Sequence, residues 1–437
     1  MNLDFSPYLA SIEGIKVIRP CGTVNQVIGM VVEGSGPAVS IGGLCTIERG
    51  AHGTIPAEVV GFREREILLM PYGDTRGIEP GGRIWAVSER AEARVGDALK
   101  GRILDGLGHP IDGKGPLVLG DSRPLYTEPL NPMERPRITS PLDVGVKAIN
   151  ACLTVGKGQR IGIMAGSGVG KSTLLGMIAR HTTAHVNVIA LIGERGRELM
   201  DFIERDLGEE GLARSVVIIA TSDQPPLIRI RGAFFATAVS EYFRDQGQDV
   251  ILMMDSLTRF AMAYREVGLA IGEPPTSRGY TPTVFSQLPR LLERAGRKSD
   301  AGSITGIYTV LVEGDDMNEP IADAVRSIVD GHIVLRRELA QQGHYPAIDI
   351  LASVSRVMRD IAAPGQIAAA SSLVKVLAAY QRAEDLINLG AYVKGTNPDI
   401  DFAVRKIQQV KGFLAQEPEQ RASLEESIRG LIDLFQG

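Results

Sequence analysis

Q159-R-I-G-I-M-A-G-S-G-V-G-K-S-T-L-L-G-M-I-A-R180 is the stretch on which the reading of this chain turns. An apolar strand-like run leads into a loop of small residues, then Lys171-Ser172, then an apolar helical segment opening at Thr173. That order suits a phosphate-binding loop. Glycines at 166, 168 and 170 let the backbone curl so that its N–H groups face inward as an anion nest. The following helix points its positive dipole end into the same nest. Lys171 would reach the β- and γ-phosphates, and the Ser172 hydroxyl would ligate Mg²⁺. The run Ala165, Gly166, Ser167, Gly168, Val169, Gly170, Lys171, Ser172 and Thr173 is therefore the expected nucleotide contact. One position departs from G-x-x-x-x-G-K-[ST]: Ala165 stands where the first glycine usually does, which is compatible if φ stays negative there. The reading is of a chain that binds a nucleoside triphosphate.

Outward from that loop, residues 151–364 alternate between strand and helix. Apolar runs at Arg160–Met164, Val186–Ile192, Ser215–Ala220, Val250–Met254, Ile304–Leu311 and His332–Leu335 read as buried strands. Helical periods at Ser172–His181, Glu198–Leu207, Arg231–Gln246 and Pro282–Arg294 fall between them. The expected fold class is α/β, a mostly parallel sheet with ligands at the carboxyl ends of its strands. Residues 1–90 read instead as a small closed β-barrel. Its candidate strands are Ile15–Ile18, Val24–Val32, Ala38–Ile41, Cys45–Ile47, Ala57–Phe62, Glu66–Met70 and Arg83–Val87, with glycine-rich turns between. Residues 91–150 read as a Gly/Pro-rich connector of short strands and turns with no helical period, the boundary into the nucleotide domain. Residues 365–437 read as a helical domain, with amphipathic helices at Ile367–Asn388, Asp399–Gln416 and Glu419–Phe435.

Composition bounds the function classes. The chain has 437 residues, enough for two or three domains, with 44% hydrophobic and 23% charged residues, as in soluble globular proteins. A net charge of −5 argues against a generally basic nucleic-acid binder. The barrel does not look like an oligonucleotide reader either, because Trp85, Phe62 and Tyr72 are scattered rather than gathered with cations on one face. The three cysteines, Cys21, Cys45 and Cys152, show neither metal spacing nor a disulfide framework, which fits a reducing compartment. The start, M-N-L-D-F-S-P-Y, has no basic n-region or apolar h-region, and no window approaches a membrane span. A cytosolic protein is expected, meeting a membrane only through partners.

Two carboxylates and a cation complete the candidate chemistry. Asp255 ends the apolar run Val250–Met254, where an aspartate orders Mg²⁺ directly or through water beside Ser172. Glu194 follows Val188–Ile192 in G193-E-R-G-R-E198, at the carboxyl edge of the sheet, where it would orient and polarise the attacking water. Arg195 and Arg197 flank it, with Arg195 as a candidate catalytic cation, and Glu198 is close enough in sequence to support the metal's waters. Phosphoryl transfer also calls for charge stabilisation in the transition state, often from a neighbouring arginine. Arg356, after S353-V-S, is one of many arginines on this ground alone.

Taken together, A165-G-S-G-V-G-K-S172, G193-E-R-G-R-E198, M254-D-S-L-T-R-F260 and G272-E-P-P-T-S-R-G-Y280 resemble the type III export ATPases, relatives of the catalytic subunits of rotary F- and V-type ATPases. The similarity runs from the barrel through G101-R-I-L-D-G-L-G-H-P-I-D-G113 to the helical end. The runs S303–S327 and H344-Y-P-A-I-D-I-L-A-S-V-S-R-V-M358 resemble most the flagellum-specific branch, with injectisome members as the near alternative. The resemblance implies a RecA-like nucleotide domain and a cytoplasmic homohexamer at the inner face of the membrane. It implies hydrolysis of Mg²⁺-bound ATP coupled to chaperone release and substrate export. The implied partners are a stator-like negative regulator, a coiled-coil central stalk, membrane export-gate proteins and chaperone–substrate complexes, with no nucleic acid. It also implies roles for single residues: Lys171 and Ser172 on phosphate and Mg²⁺, Glu194 on water and Asp255 on the metal. Arg356 matches an arginine finger acting on the neighbouring subunit's ATP, and Tyr345 matches an adenine-stacking tyrosine. For a second adenine-pocket aromatic, Phe413 lies in the right neighbourhood, while Pro418 stands where rotary catalytic subunits tend to have an aromatic. The segment before the barrel is short for the flagellar branch, in which a regulator docks there.

Two other classes compete with this one. A non-catalytic nucleotide-holding ring subunit would lack the water-activating carboxylate, and Glu194 is present. A hexameric nucleic-acid translocase would need basic loops and base-stacking aromatics, which the acidic balance and sparse aromatics do not support.

Overall fold

The computed structural model describes residues 20–312, 314 and 316–436. Contacts divide the chain into two compact units, Met1–Glu92 with Glu266–Pro274, and Ala93–Arg265 with Pro275–Gly437.

The first unit is a closed six-stranded barrel in the order β1-β2-β5-β4-β3-β6. Its strands are β1 (Cys21–Ile28), β2 (Val31–Ser35), β3 (Leu44–Glu48), β4 (Thr54–Arg63), β5 (Glu66–Pro71) and β6 (Arg83–Ser88). All pairings are antiparallel, and β6 returns to β1 to close the sheet. Side chains alternate between faces, so Val24, Val32, Ile47, Val59, Leu69 and Ile84 form the core. Two expectations need correction. The run Val24–Val32 is a hairpin rather than one strand, because Gly29, at φ +59°, turns the chain between β1 and β2. Ala38–Ile41 is not a strand, and Ile41 is exposed. The candidate Ile15–Ile18 and the short segment before it lie outside the described residues.

The second unit is built on a nine-stranded sheet whose main path runs β17-β16-β10-β15-β13-β11-β12-β8. After β7 (Glu92–Val95) come β8 (Arg102–Asp105), β9 (Asp121–Pro124), β10 (Arg160–Ala165), β11 (Val186–Ile192), β12 (Ser215–Ala220) and β13 (Asp249–Asp255). The rest are β14 (Gly296–Arg297), β15 (Ser303–Leu311), β16 (Gly331–Leu335) and β17 (Ile348–Ser355). Every pairing in this sheet is parallel except β16–β17 and β14–β15. Strands covered on both faces read as unbroken apolar runs, and β11 and β12 are buried at every position. The connector carries short strands, as expected, and also a helix that was not. Its β8 is the outer strand paired with β12, β7 and β9 form a separate two-stranded ribbon, and the helix Lys147–Cys152 begins inside it. No helix among the described residues is long and apolar enough to cross a membrane.

Helices between the strands include Lys171–His181, Pro226–Asp245, Leu257–Ile271, Pro282–Leu292 and Pro320–Ile328. Pro226–Asp245 begins five residues before the expected Arg231, because Pro226 with its fixed φ opens a helix well. The expected helix Glu198–Leu207 becomes an α-turn, Gly196–Asp201, followed by a π-helical turn, Phe202–Leu207. That turn lies directly on the phosphate-loop helix at Gly176, where an added Cβ would stand 2.5 Å from the Asp206 carbonyl oxygen. Gly176→Ala thus sets two effects against each other. Helix propensity favours alanine by about 1 kcal/mol, whereas overpacking costs about 1–3 kcal/mol. A net loss of stability in denaturant unfolding is expected, and a net gain would contradict this packing.

Three helices close the chain, Pro364–Asn388, Pro398–Leu414 and Leu424–Gln436. Asn397 starts the second, its side chain accepting from the N–H groups of Asp399 and Ile400, with Pro398 behind it. Leu373, Val376, Val410, Leu414 and Leu431 from these helices join the same buried cluster as Ile149, Ile163 and Leu174. The C-terminal helices therefore share a core with the nucleotide sheet.

Candidate active site

Ala165 is the last residue of β10, is buried, and is not among the positive-φ residues, so the missing glycine costs nothing there. The chain then turns through Gly168 (φ +76°) and Gly170 (φ +88°), backbone that favours glycine. Gly170 is the N-cap of Lys171–His181, and no side chain caps that helix end. Its first N–H groups are left as donors beside the loop. Val169 is buried and pins the loop to the core.

A cleft of about 680 Å³ opens at this edge of the sheet. Its walls take in Ala165, Gly166, Ser167, Gly168, Gly170, Lys171, Ser172 and Thr173, together with Glu194, Arg195 and Glu198. Two strand ends deliver the carboxylates. Asp255 terminates β13, is 4% exposed, and accepts from the Thr309 hydroxyl at 2.7 Å. Glu194 follows β11 across Gly193, whose φ is +71°. Lys171 joins them, its Nζ donating to Asp255 Oδ1 at 2.5 Å and to Glu194 Oε1 at 3.4 Å. Burial pulls the Lys171 ammonium down, but Asp255 and Glu194 outweigh it and leave its pKa above the ordinary lysine value. Burial, then the Asp255 charge, raise the Glu194 carboxyl above the usual glutamate value, and the cations Lys171 and Arg259 offset only part of that.

Arg259 is a cleft residue that the sequence reading passed over. Its side chain packs so closely on Gly193 that a Cβ there would stand 2.7 Å from it. The signal was available inside M254-D-S-L-T-R-F260: Arg259 lies four residues beyond Asp255, one turn into the helix that the strand end feeds. Asp201, Asp206 and Arg337 also line the cleft, and burial raises the Asp206 carboxyl. Arg195, by contrast, is exposed at the rim and pairs with Glu198 at 3.1 Å.

Tyr345 lies against the other side of the loop. Its ring is 3.5 Å from where a Gly170 Cβ would be, and the residue is 44% exposed, which leaves a ring face for a ligand. Phe413 packs on Gly430 and lies under the Lys147 ammonium. Pro418 lies by the far end of the phosphate-loop helix, where its carbonyl accepts from Arg180 at 2.7 Å.

Arg356 stands apart from all of these. It follows β17, which runs antiparallel to β16 with Ser355 opposite Gly331, so the strand ends at the amino edge of the sheet. The Arg356 N–H donates to the Asp330 carbonyl at 3.0 Å, and Asp330 also holds Arg160, the first residue of β10. The phosphate loop leaves the other end of that strand, about 16 Å away at 3.3 Å per residue. Arg356 is exposed, and its guanidinium donates to the Arg326 carbonyl at 3.4 Å.

A phosphate loop at the carboxyl edge of a mostly parallel sheet, with lysine, aspartate and glutamate converging on it, defines a RecA-like P-loop ATPase. Comparison with known proteins agrees. Residues 145–355 match the ATP synthase alpha/beta family nucleotide-binding domain, residues 24–84 its beta-barrel domain, and residues 362–433 the T3SS EscN ATPase C-terminal domain. The flagellum-specific ATP synthase of Bacillus subtilis (strain 168) is 56% identical over 417 residues, covering 94% of this chain and 94% of that protein. The assembled ATPase EscN of the enteropathogenic E. coli type III secretion system superposes with a TM-score of 0.90 at 45% identity, covering 94% of this chain and 99% of that one. EscN in complex with its central stalk EscO gives a TM-score of 0.87 at 44% identity, with the same coverage. This chain belongs to the type III export ATPases of the ATP synthase alpha/beta family, and it is an ATPase.

Proposed function

We propose that this chain is the ATP-hydrolysing motor of a flagellar type III export apparatus, working as a homohexamer that couples hydrolysis to chaperone release and substrate export. The observation that carries the enzymatic part is the convergence of Lys171, Glu194 and Asp255 at the phosphate loop. A triphosphate in the loop would take Lys171 as its own partner, leaving Glu194 to accept a proton from, and orient, the attacking water. Asp255 and the Ser172 hydroxyl supply the hard oxygen donors that suit Mg²⁺. Among the described residues no group of three or more His, Cys, Asp or Glu side chains could hold a metal. The ion would then be held by one or two protein oxygens and the substrate's phosphates. Such an ion would neutralise charge on those phosphates.

The flagellar branch rests on the 56% identity to the Bacillus subtilis protein against 48% to the type 3 secretion system ATPase of Xanthomonas euvesicatoria. The ring and a stalk partner rest on likeness to EscN, assembled and with EscO. A stator-like regulator, export-gate proteins and chaperone–substrate complexes complete the proposed partners, with the chain cytoplasmic and peripheral at the membrane through them. Deleting the gene in its own host is expected to abolish secretion of hook and filament subunits, restored by wild type but not by Lys171→Ala. Normal flagellar export in the deletion strain would overturn the flagellar assignment. In purified protein, Lys171→Ala removes a charge-assisted contact worth about 1.5–3 kcal/mol. ATP affinity should therefore fall about 10- to 100-fold in a titration; unchanged affinity would remove Lys171 from the phosphate site.

A further inference from the structure

Gln416 is 6% exposed in the turn after Pro398–Leu414, and both ends of its side-chain amide and its backbone N–H are used. Its Oε1 accepts from the Lys147 N–H at 2.6 Å. Its Nε2 donates to the Gly145 carbonyl at 2.8 Å and to the Gln420 carbonyl at 2.6 Å. Its own N–H donates to the Tyr345 carbonyl at 2.9 Å. Three segments distant in sequence meet on this one residue: the lead-in to the nucleotide domain at 145–147, the 344–346 turn, and the 416–420 turn. The Lys147 ammonium reinforces the joint, donating to the Ala415 carbonyl at 3.2 Å while lying over Phe413. None of these groups enters the cleft.

What the joint holds is the tyrosine. Tyr345 packs on Gly170 with nearly half its surface exposed, and the hydrogen bond on its carbonyl comes from the Gln416 backbone. A buried glutamine with four satisfied hydrogen bonds has one low-energy orientation, since losing any partner leaves a polar group unpaired. The amide side chain therefore fixes the 416–420 turn against residues 145–147, and the turn's backbone fixes the height of Tyr345 over the phosphate loop.

We propose that Gln416 is a positioning residue for base recognition, setting the Tyr345 ring where it stacks on the nucleotide's purine. The inference rests on reading Tyr345 as the base-stacking residue. It predicts a split: Gln416 governs affinity for the base-bearing ligand and leaves the phosphate site alone.

The test compares ATP with magnesium tripolyphosphate, which has the phosphates and no base. Affinities for both, kcat and KM are measured for wild type, Tyr345→Ala, Gln416→Ala, Gln416→Glu and the Tyr345→Ala/Gln416→Ala double variant. Gln416→Glu keeps the size and the Oε acceptor while losing both amide donations, so it serves if the alanine variant does not fold. Tyr345→Ala should weaken ATP about 5- to 100-fold, the range of base–aromatic stacking. Gln416→Ala or Gln416→Glu should weaken ATP several-fold, raising KM with kcat unchanged, while tripolyphosphate binding stays at wild type. The double variant should be no weaker than Tyr345→Ala, because the two act through one contact. If Tyr345→Ala binds ATP as wild type does, the stacking reading fails and this inference with it. If Tyr345→Ala is impaired but folded Gln416 variants are not, the positioning role alone is overturned. Equal losses for ATP and tripolyphosphate, a fall in kcat, or failure of both Gln416 variants to fold would make the residue a general structural tie and overturn it as well.

Discussion

Arg356→Ala is expected to lower ATP turnover by about 10³- to 10⁵-fold, the usual contribution of an arginine finger, while the same chain still binds ATP. The geometry forces the second half of that statement. Arg356 sits at the amino edge of the sheet beside Asp330, and the phosphate loop leaves the opposite end of β10. The separation, about 16 Å along the strand, is longer than an arginine side chain. Arg356 therefore has no route to the γ-phosphate of its own subunit, and any action on ATP is on a neighbour's. Two consequences follow. Nucleotide titration of Arg356→Ala should match wild type, and wild-type activity per chain should rise with protein concentration as rings form. Turnover per chain that is independent of concentration down to a demonstrated monomer would contradict the finger role.

Glu194→Gln is expected to reduce turnover about 10²- to 10⁴-fold, the scale of a lost general base, with ATP still bound and an assembled ring stabilised. If affinity falls and turnover per bound ATP does not, Glu194 is a binding residue instead. The raised pKa of Glu194, caused first by burial and then by Asp255, adds two checks with definite signs. A carboxylic acid must be ionised to act as a base, so in wild type the acid limb of kcat/KM should lie above the ordinary glutamate value. That limb should vanish from the residual activity of Glu194→Gln. For stability, the folded state holds the proton more tightly than the unfolded chain. Folding stability from this group is therefore lost as pH rises from the unfolded value through the folded one. At neutral pH wild type carries that cost and Glu194→Gln does not, so the variant should unfold at a higher temperature. A lower midpoint at neutral pH would mean that the pairing with Lys171 dominates.

Much of this site was legible because it is made of strand ends. Parallel strands covered on both faces must be apolar throughout, so Val186–Ile192 and Val250–Met254 announced themselves, and Glu194 and Asp255 could be placed at the sheet's carboxyl edge by counting. The phosphate loop was legible for a different reason: only small residues allow its backbone turns. What stayed hidden depends on packing across long sequence separations. Arg259 is one arginine among many until Gly193 is seen to leave room for it. That β8 joins the nucleotide sheet beside β12 was hidden, because a short strand carries no sign of its partner in its own sequence. The hairpin at Gly29 was hidden because apolar residues continue on both sides of a two-residue turn. The joint at Gln416 could not be read at all, since its partners at 145, 147, 345 and 420 carry no local pattern.

The most direct test of a catalytic site shared between neighbouring copies mixes two inactive proteins, Arg356→Ala and Lys171→Ala. In a mixed ring, an intact phosphate loop on an Arg356→Ala chain can lie beside an intact finger on a Lys171→Ala chain. Partial ATPase activity should return. A parallel mixture of wild type with Lys171→Ala shows whether turnover needs every site in the ring, since activity that falls only in proportion to dilution means that it does not. With that control proportional, mixed rings that form but remain as inactive as either parent would contradict action of Arg356 across the subunit boundary.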